Sequence, residues 1–265
     1  MRKFGFKLFS KNLRAAPALV RECADAARTA PDLFVELMIL PETTPDDLRT
    51  LQDVFDAVEI RLHAPHHTLG FDAGDPRLEK RNRETFETVR KAADLFKAKT
   101  IVVHPGCGHG KERLNETVRQ LKLLDDPRIV VENLPIVDDG DGKELLGGTA
   151  EEISFIRAET GYGFCMDFSH AICAAATLGR DPIKHLESFY ALTPTVYHLC
   201  DGEIGKNRDT HRHYGEGDYP LGYFLKNLTA PDAYITMETG RGVMKNADAW
   251  IGDYTYLKSK ITGNS

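Results

Sequence analysis

Eight short apolar runs alternating with amphipathic helical segments predict an α/β fold, a (β/α)8 TIM barrel, with a doubly wound open sheet as second choice. The runs Ile101-Val102-Val103 and Ile129-Val130-Val131 are apolar without interruption, as expected when both faces of a parallel sheet are buried. A chain of 265 residues suits one such barrel. No low-complexity linker divides it, so residues 1–265 are expected to form a single domain.

The first strand is expected over residues 3–9. A helix follows over 17–28, where Leu19, Val20, Cys23, Ala26 and Ala27 share one face. The second strand, 33–39, lies between Pro31-Asp32 and Pro41. Residues 45–54 read as a short helix, because Pro45 suits a first helical position where the missing N–H costs nothing. The third strand, 57–63, stops before Pro65. Leu78, Phe86, Val89, Ala92, Ala93 and Phe96 recur at helical spacing and predict a long helix over 77–96. The fourth strand, 100–104, ends at Pro105-Gly106, and helix 112–124 leads to the fifth strand, 128–132. The hydrophilic stretch 138–143 then reads as a loop tip. Thr149, with Glu152 three residues on, has the pattern of a capping box and opens a helix to 159. The sixth strand, 164–167, precedes helical segments near 170–178 and 182–190. The seventh strand, 195–199, helix 221–228, the eighth strand, 233–238, and helix 243–258 complete the series.

Apolar residues make up 42% and charged residues 28%, the proportions of an ordinary globular protein. The net charge of −6 argues against a generally basic nucleic-acid binder but leaves room for a local basic groove or bound cations. No run approaches the length of a membrane-spanning helix, and the first residues lack the apolar core of a signal peptide. The protein is therefore expected to be cytoplasmic, with no membrane partner. Five cysteines without a CxxC pair suit reduced thiols.

The chemistry is written at the strand ends. In a barrel of this kind the active site lies at the C-terminal ends of the strands. Strand three ends in His63, strand four in His104 and strand five in Glu132. Strand six ends in Asp167, with His170 three residues later, and strand eight ends in Glu238. The seventh strand carries His198 and opens a loop to Gly217 that brings Asp209 and His211. Structureless loops of that length are usually functional or disordered, and this one concentrates metal-ligand residue types. Charged groups inside a barrel mouth are costly to desolvate unless paired or metal-bound. Imidazole and carboxylate without thiolate suit zinc, manganese or iron(II). One zinc ion takes about four ligands, so these nine residues imply two or three ions. Clustered divalent ions suit phosphodiester hydrolysis.

Leu62-His63-Ala64-Pro65, Val103-His104-Pro105-Gly106, Val131-Glu132-Asn133, Met166-Asp167-Phe168-Ser169-His170, His198-Leu199, Asp209-Thr210-His211 with Gly215-Glu216-Gly217, and Met237-Glu238-Thr239 resemble the endonuclease IV family of abasic-site nucleases in order and spacing. The resemblance covers roughly residues 57 to 240. It implies three zinc ions per chain. His63 and His104 would hold the first, and Glu132 would bridge it to a second that Asp167, His198 and Glu238 also bind. His170, Asp209 and His211 would hold the third. Glu132 and Glu238 become the candidate catalytic carboxylates, Glu238 orienting the attacking water. The implied reaction is hydrolysis of DNA 5′ to abasic sites in base excision repair, by a monomer acting on damaged DNA.

The chain departs from that family where its loops meet DNA. Leu40-Pro41-Glu42-Thr43-Thr44 is short and acidic, and His66 stands where an aromatic residue is common. His66, Lys206, Arg208 and Arg212 are the candidate substrate-binding residues, with Lys11 and Arg14 as further phosphate contacts. Two other readings compete. A single-metal sugar isomerase or epimerase on the same barrel would use Glu132, Asp167, His198 and Glu238 alone. A non-enzymatic metal-dependent binding protein would keep the cluster without turnover.

Overall fold

The structure, a computed structural model, describes residues 1–240 and 245–262. Eight parallel strands close a barrel in chain order, β1 pairing with both β2 and β8. They are β1 (Lys3–Phe9), β2 (Leu33–Met38), β3 (Ile60–His63), β4 (Ile101–Val103), β5 (Ile129–Glu132), β6 (Gly163–Asp167), β7 (Val196–Leu199) and β8 (Tyr234–Met237). The helices are α1 (Asn12–Ala15), α2 (Pro17–Thr29), α3 (Pro45–Val54), α4 (Glu79–Phe96), α5 (Gly110–Leu124), α6 (Ala150–Thr160), α7 (Phe168–Leu178), α8 (Pro182–Tyr190), α9 (Leu221–Asn227) and α10 (Asp248–Thr262).

Most boundaries shift by a few residues from expectation, and two of the shifts have a clear local reason. β3 begins at Ile60 rather than 57, because Ala57 has a left-handed φ of 61° and belongs to the turn after α3. α7 begins at Phe168, because the Asp167 carboxylate caps it by accepting from His170 N at 2.6 Å. The last helix starts at Asp248; the expected positions 243 and 244 lie outside the described residues. The short helix α1 carries no apolar period and was not expected.

The pleat of the strands builds the site. Val102, Val130, Cys165 and Val196 form a separate buried cluster inside the barrel. Side chains return to the same face every second residue. Two residues further along each strand the same inward face carries His104, Glu132, Asp167 and His198. The alternate residues, among them Ile101, Val103, Ile129 and Val131, join the larger core beneath the helices. An apolar plug thus supports a polar layer at the C-terminal mouth. Among the described residues no helix is long and apolar enough to cross a membrane.

Candidate metal centre

The nine expected ligand residues lie together at that mouth. Glu132, almost wholly buried, is at the centre. Its Oε2 lies 3.2 Å from His63 Nε2 and 3.1 Å from His104 Nε2. Its Oε1 lies 3.0 Å from His198 Nδ1 and 3.3 Å from His170 Nδ1. Glu238 Oε1 is 3.1 Å from His198 Nδ1, and Asp209 Oδ2 is 2.6 Å from His211 Nε2. Potential ligand atoms of His63, His104 and Glu132 fall within 4.8 Å of one another, and so do those of Glu132, Asp167, His198 and Glu238. Asp209 and His211 form such a group with Cys200.

Most of the imidazoles are turned by an acceptor on one nitrogen. His63 Nδ1 donates to its neighbour Ala64 O at 2.5 Å, His170 Nδ1 to Asn133 O at 2.9 Å, and His211 Nδ1 to Glu238 O at 2.5 Å. Each leaves Nε2 as the free ligand atom. His198 is reversed. Its Nε2 donates to Glu36 Oε2 at 3.1 Å, so Nδ1 faces Glu132 and Glu238. Outer acceptors of this kind fix the tautomer and ring orientation of metal-binding histidines. His211 also has a left-handed φ of 47°, an uncommon backbone state for a residue other than glycine. Gly240 N holds it there, donating to His211 O at 2.6 Å.

Glu36 and Lys7 were missed by sequence reasoning. Both point into the barrel, and Glu36 is fully buried. Lys7 Nζ bridges Glu36 at 2.5 Å and Glu238 at 2.8 Å, and Thr236 Oγ1 donates to Glu36 Oε2 at 2.8 Å. The signal was present, since each is a lone charge inside an apolar strand, Phe4-Gly5-Phe6-Lys7-Leu8 and Phe34-Val35-Glu36-Leu37. Asn133 stitches β5 to β6, accepting from Asp167 N at 2.8 Å and donating to Asp167 O at 2.9 Å.

Burial and neighbouring charge push the acids apart. Burial raises the Asp167 carboxyl to about 7, with Glu132, Glu238 and Asp209 adding repulsion. Burial acts the same way on Glu132, but the His198 and His104 imidazoles outweigh it and hold that carboxyl well below the usual range. Burial lowers His104 to about 4, which keeps it a neutral donor at ordinary pH. Crowding of acids around oriented imidazoles is an arrangement that bound cations would stabilise.

Above the cluster opens a chamber of about 640 Å³. Lys7, His63, His104, Glu132, His170, Asp209, His211 and Glu238 reach it, and Phe9, Leu19, Met38, Leu134, Val137 and Trp250 supply apolar wall. His66 and Lys11 also face it. Burial drives the His66 imidazole down to about 3, so that ring faces the chamber uncharged. Arg208, Arg212 and Lys206 lie outside the lining. Arg208 Nε is 3.3 Å from Asp139 Oδ2, Arg212 is paired with Glu203 and donates to Glu216 O at 3.0 Å, and Lys206 is exposed. Arg14 is held by Asp47 at 2.7 Å. The five cysteines are free thiols, as expected, and Cys200 is buried with its Sγ 3.7 Å from Asp209 Oδ1.

Known proteins resemble this chain along nearly its whole length. Endonuclease 4 of Thermus thermophilus is 26% identical over 94% of this chain and 96% of its own length. The crystal structure of endonuclease IV from Thermus thermophilus superposes with a TM-score of 0.68 at 22% identity, covering 98% of this chain and 99% of that one. A D-tagatose 3-epimerase-like protein superposes as well, with a TM-score of 0.69 at 21% identity over 98% of this chain and 97% of its own. Backbone likeness therefore does not choose between nuclease and epimerase. The family model described as xylose isomerase-like TIM barrel matches residues 20–260, and this chain belongs to that family.

Proposed function

We propose that the protein is a zinc-dependent phosphodiesterase of the endonuclease IV type, which hydrolyses DNA on the 5′ side of abasic sites. The observation that carries this reading is the convergence of five imidazoles and four carboxylates, with His63, His170, His198 and His211 each anchored through one nitrogen. That donor set fits zinc, and nine donors exceed the needs of one ion. His63 and His104 would hold one ion, and Glu132 would bridge it to a second held also by Asp167, His198 and Glu238. His170, Asp209 and His211 would hold the third. Bound there, the ions would supply an activated water and neutralise the attacking and leaving oxygens of the phosphodiester.

The protein's own groups would do the rest. Glu132 fixes the spacing of His63, His104, His170 and His198 around itself. Glu238, which also reaches the chamber, would orient the attacking water. Lys7 offsets the charge of Glu238 and Glu36. The chamber has room for an extrahelical sugar-phosphate, and extrusion costs least at a damaged nucleotide. His66 would line that pocket, while Lys206, Arg208 and Arg212 would meet flanking phosphates after exchanging their present partners.

A labelled duplex with one abasic site tests the reading. Metal-dependent incision 5′ to the lesion by wild type, absent in Glu238→Gln, is expected. No incision by protein shown to carry its metals would refute it. The epimerase reading is favoured by one observation, that Glu132, Asp167, His198 and Glu238 alone make a compact four-ligand group. It predicts about one ion per chain and turnover of a ketose.

A further inference from the structure

We propose that His67, Asp138 and Asp141 form a separate divalent-cation site at the rim of the chamber, which fastens the hairpin after β5 to the loop after β3. The hairpin is closed by an antiparallel bridge between Val137 and Glu144, and a second bridge ties its Leu145 to Cys107 of the loop after β4. Its tip is internally braced. Asp138 N donates to Lys143 O at 2.9 Å, and Asp138 Oδ1 accepts from Gly140 N at 2.8 Å and Asp141 N at 3.0 Å. Asp138 Oδ2 and Asp141 Oδ2 both face His67.

His67 gives the independent sign of a ligand. Its side chain is 5% exposed, yet its buried Nε2 makes no hydrogen bond. The two carboxylate oxygens stand 3.6 and 3.4 Å from that nitrogen. Those separations are too long for a normal N–H···O bond, which is roughly 2.7–3.2 Å. They match the ligand-to-ligand edge of a tetrahedral zinc site, about 3.3–3.6 Å for bonds of about 2.0–2.2 Å. One imidazole with two carboxylates selects a transition ion such as zinc or manganese over magnesium, which prefers oxygen alone. Water would complete the coordination. Lys143 Nζ now holds Asp141 Oδ2 at 2.9 Å and would be displaced.

Such an ion would set one wall of the chamber. Val137, Asp138 and Asp139 belong to both the hairpin and the lining. On the far side of the tip, Asp139 meets Arg208 of the loop after β7. A cation at His67 would pin the near side as Arg208 holds the far side, and the wall would stiffen on both flanks.

Equilibrium dialysis of the metal-loaded protein against micromolar Zn2+, with ions counted by atomic emission, tests the site. Wild type is expected to bind one more ion per chain than His67→Gln or Asp141→Asn. Zn2+ should slow hydrogen exchange across residues 138–143 in wild type and not in either variant. Lys143→Met removes the competing ammonium, so it should bind the extra ion more tightly than wild type. Loss of either ligand should weaken it by more than the roughly 10–100-fold that removal of an outer partner costs. Equal ion counts in wild type and both variants would overturn the proposal, leaving a plain imidazole–carboxylate contact. Loss of more than one ion in either variant would overturn it too, since the rim would then not be separate from the main cluster.

Discussion

His198 shows how one residue depends on another. Glu36 is the acceptor that turns its Nδ1 toward Glu132 and Glu238. Glu36→Gln is expected to weaken the second ion of the cluster by roughly 10–100-fold while the chain still folds, as for other outer partners of metal ligands. Competition with a chromophoric chelator measures the affinity, and the ¹⁵N shifts of His198 report the ring nitrogen that carries the proton. Unchanged affinity and shifts would remove Glu36 from the account. Lys206→Ala should weaken DNA binding evenly across sequences and lessen the salt slope by about one, if it meets a phosphate. Seven of the nine cluster residues were legible because each closes a strand or lies just past one, and Asp209 and His211 because they sit in a long loop rich in ligand residue types. Glu36 and Lys7 were not, because a lone charge within a strand looks like an edge or an error until its partner across the barrel is known. His185, outside the cluster, is 3% exposed, with Nε2 3.1 Å from Gly148 O on a different segment.

Elements were legible where the backbone carries its own instruction. Pro45 announces α3, and the structure adds a capping box there, Asp47 N donating to Thr44 Oγ1 at 3.2 Å and Thr44 N to Asp47 Oδ2 at 3.0 Å. Thr44→Ala should cost about 1 kcal/mol in chemical denaturation, the usual loss for a cap, and leave metal content unchanged. No loss would mean that packing of Leu48 and Leu51 alone holds the helix. The loop from Cys200 to Tyr219 was legible as functional but not in shape. Its order comes from one buried carboxylate, Asp201, whose oxygens accept from Gly202, Gly215, Gly217 and Tyr219 backbone N–H groups at 2.8 to 3.2 Å. Nothing in the local pattern marks Asp201 as the hub, since its partners lie up to 18 residues away. The loop needs glycine here: a Cβ on Gly217 would stand 2.1 Å from Gly202 O. Asp201→Ala should therefore release Asp209 and His211 together, reducing bound metal without touching a ligand.

The whole barrel was legible from alternation alone, because a parallel sheet buried on both faces leaves continuous apolar runs that no surface strand would carry. Its chemistry was less so, since one fold serves nuclease and epimerase alike and only the site separates them. The charge arrangement gives the molecule a pH response that metal should invert. In metal-free protein the Asp167 carboxyl, raised to about 7, adds a folding penalty that is absent below the ordinary carboxylate range and complete above about 7. His211, raised to about 9 against burial mainly by Asp209, stabilises below the ordinary histidine range and stops doing so as pH passes about 9. Below the ordinary histidine range His104 and His66, lowered to about 4 and about 3, act the other way, so chelator-treated protein should lose stability to urea as pH rises from about 7 to about 9. Metal-loaded protein should hold or gain it, because ions displace protons from their ligands. Parallel curves for the two forms would show that the acids and histidines of the mouth do not bind metal together. The measurement that bears most directly on the central claim is anomalous scattering at the zinc edge from crystals of the protein. Apart from the rim ion at His67, the account predicts three peaks within the nine-residue cluster: one against His63, His104 and Glu132, one among Glu132, Asp167, His198 and Glu238, and one beside His170, Asp209 and His211. A single peak held by Glu132, Asp167, His198 and Glu238 would contradict it and turn the search toward sugar substrates.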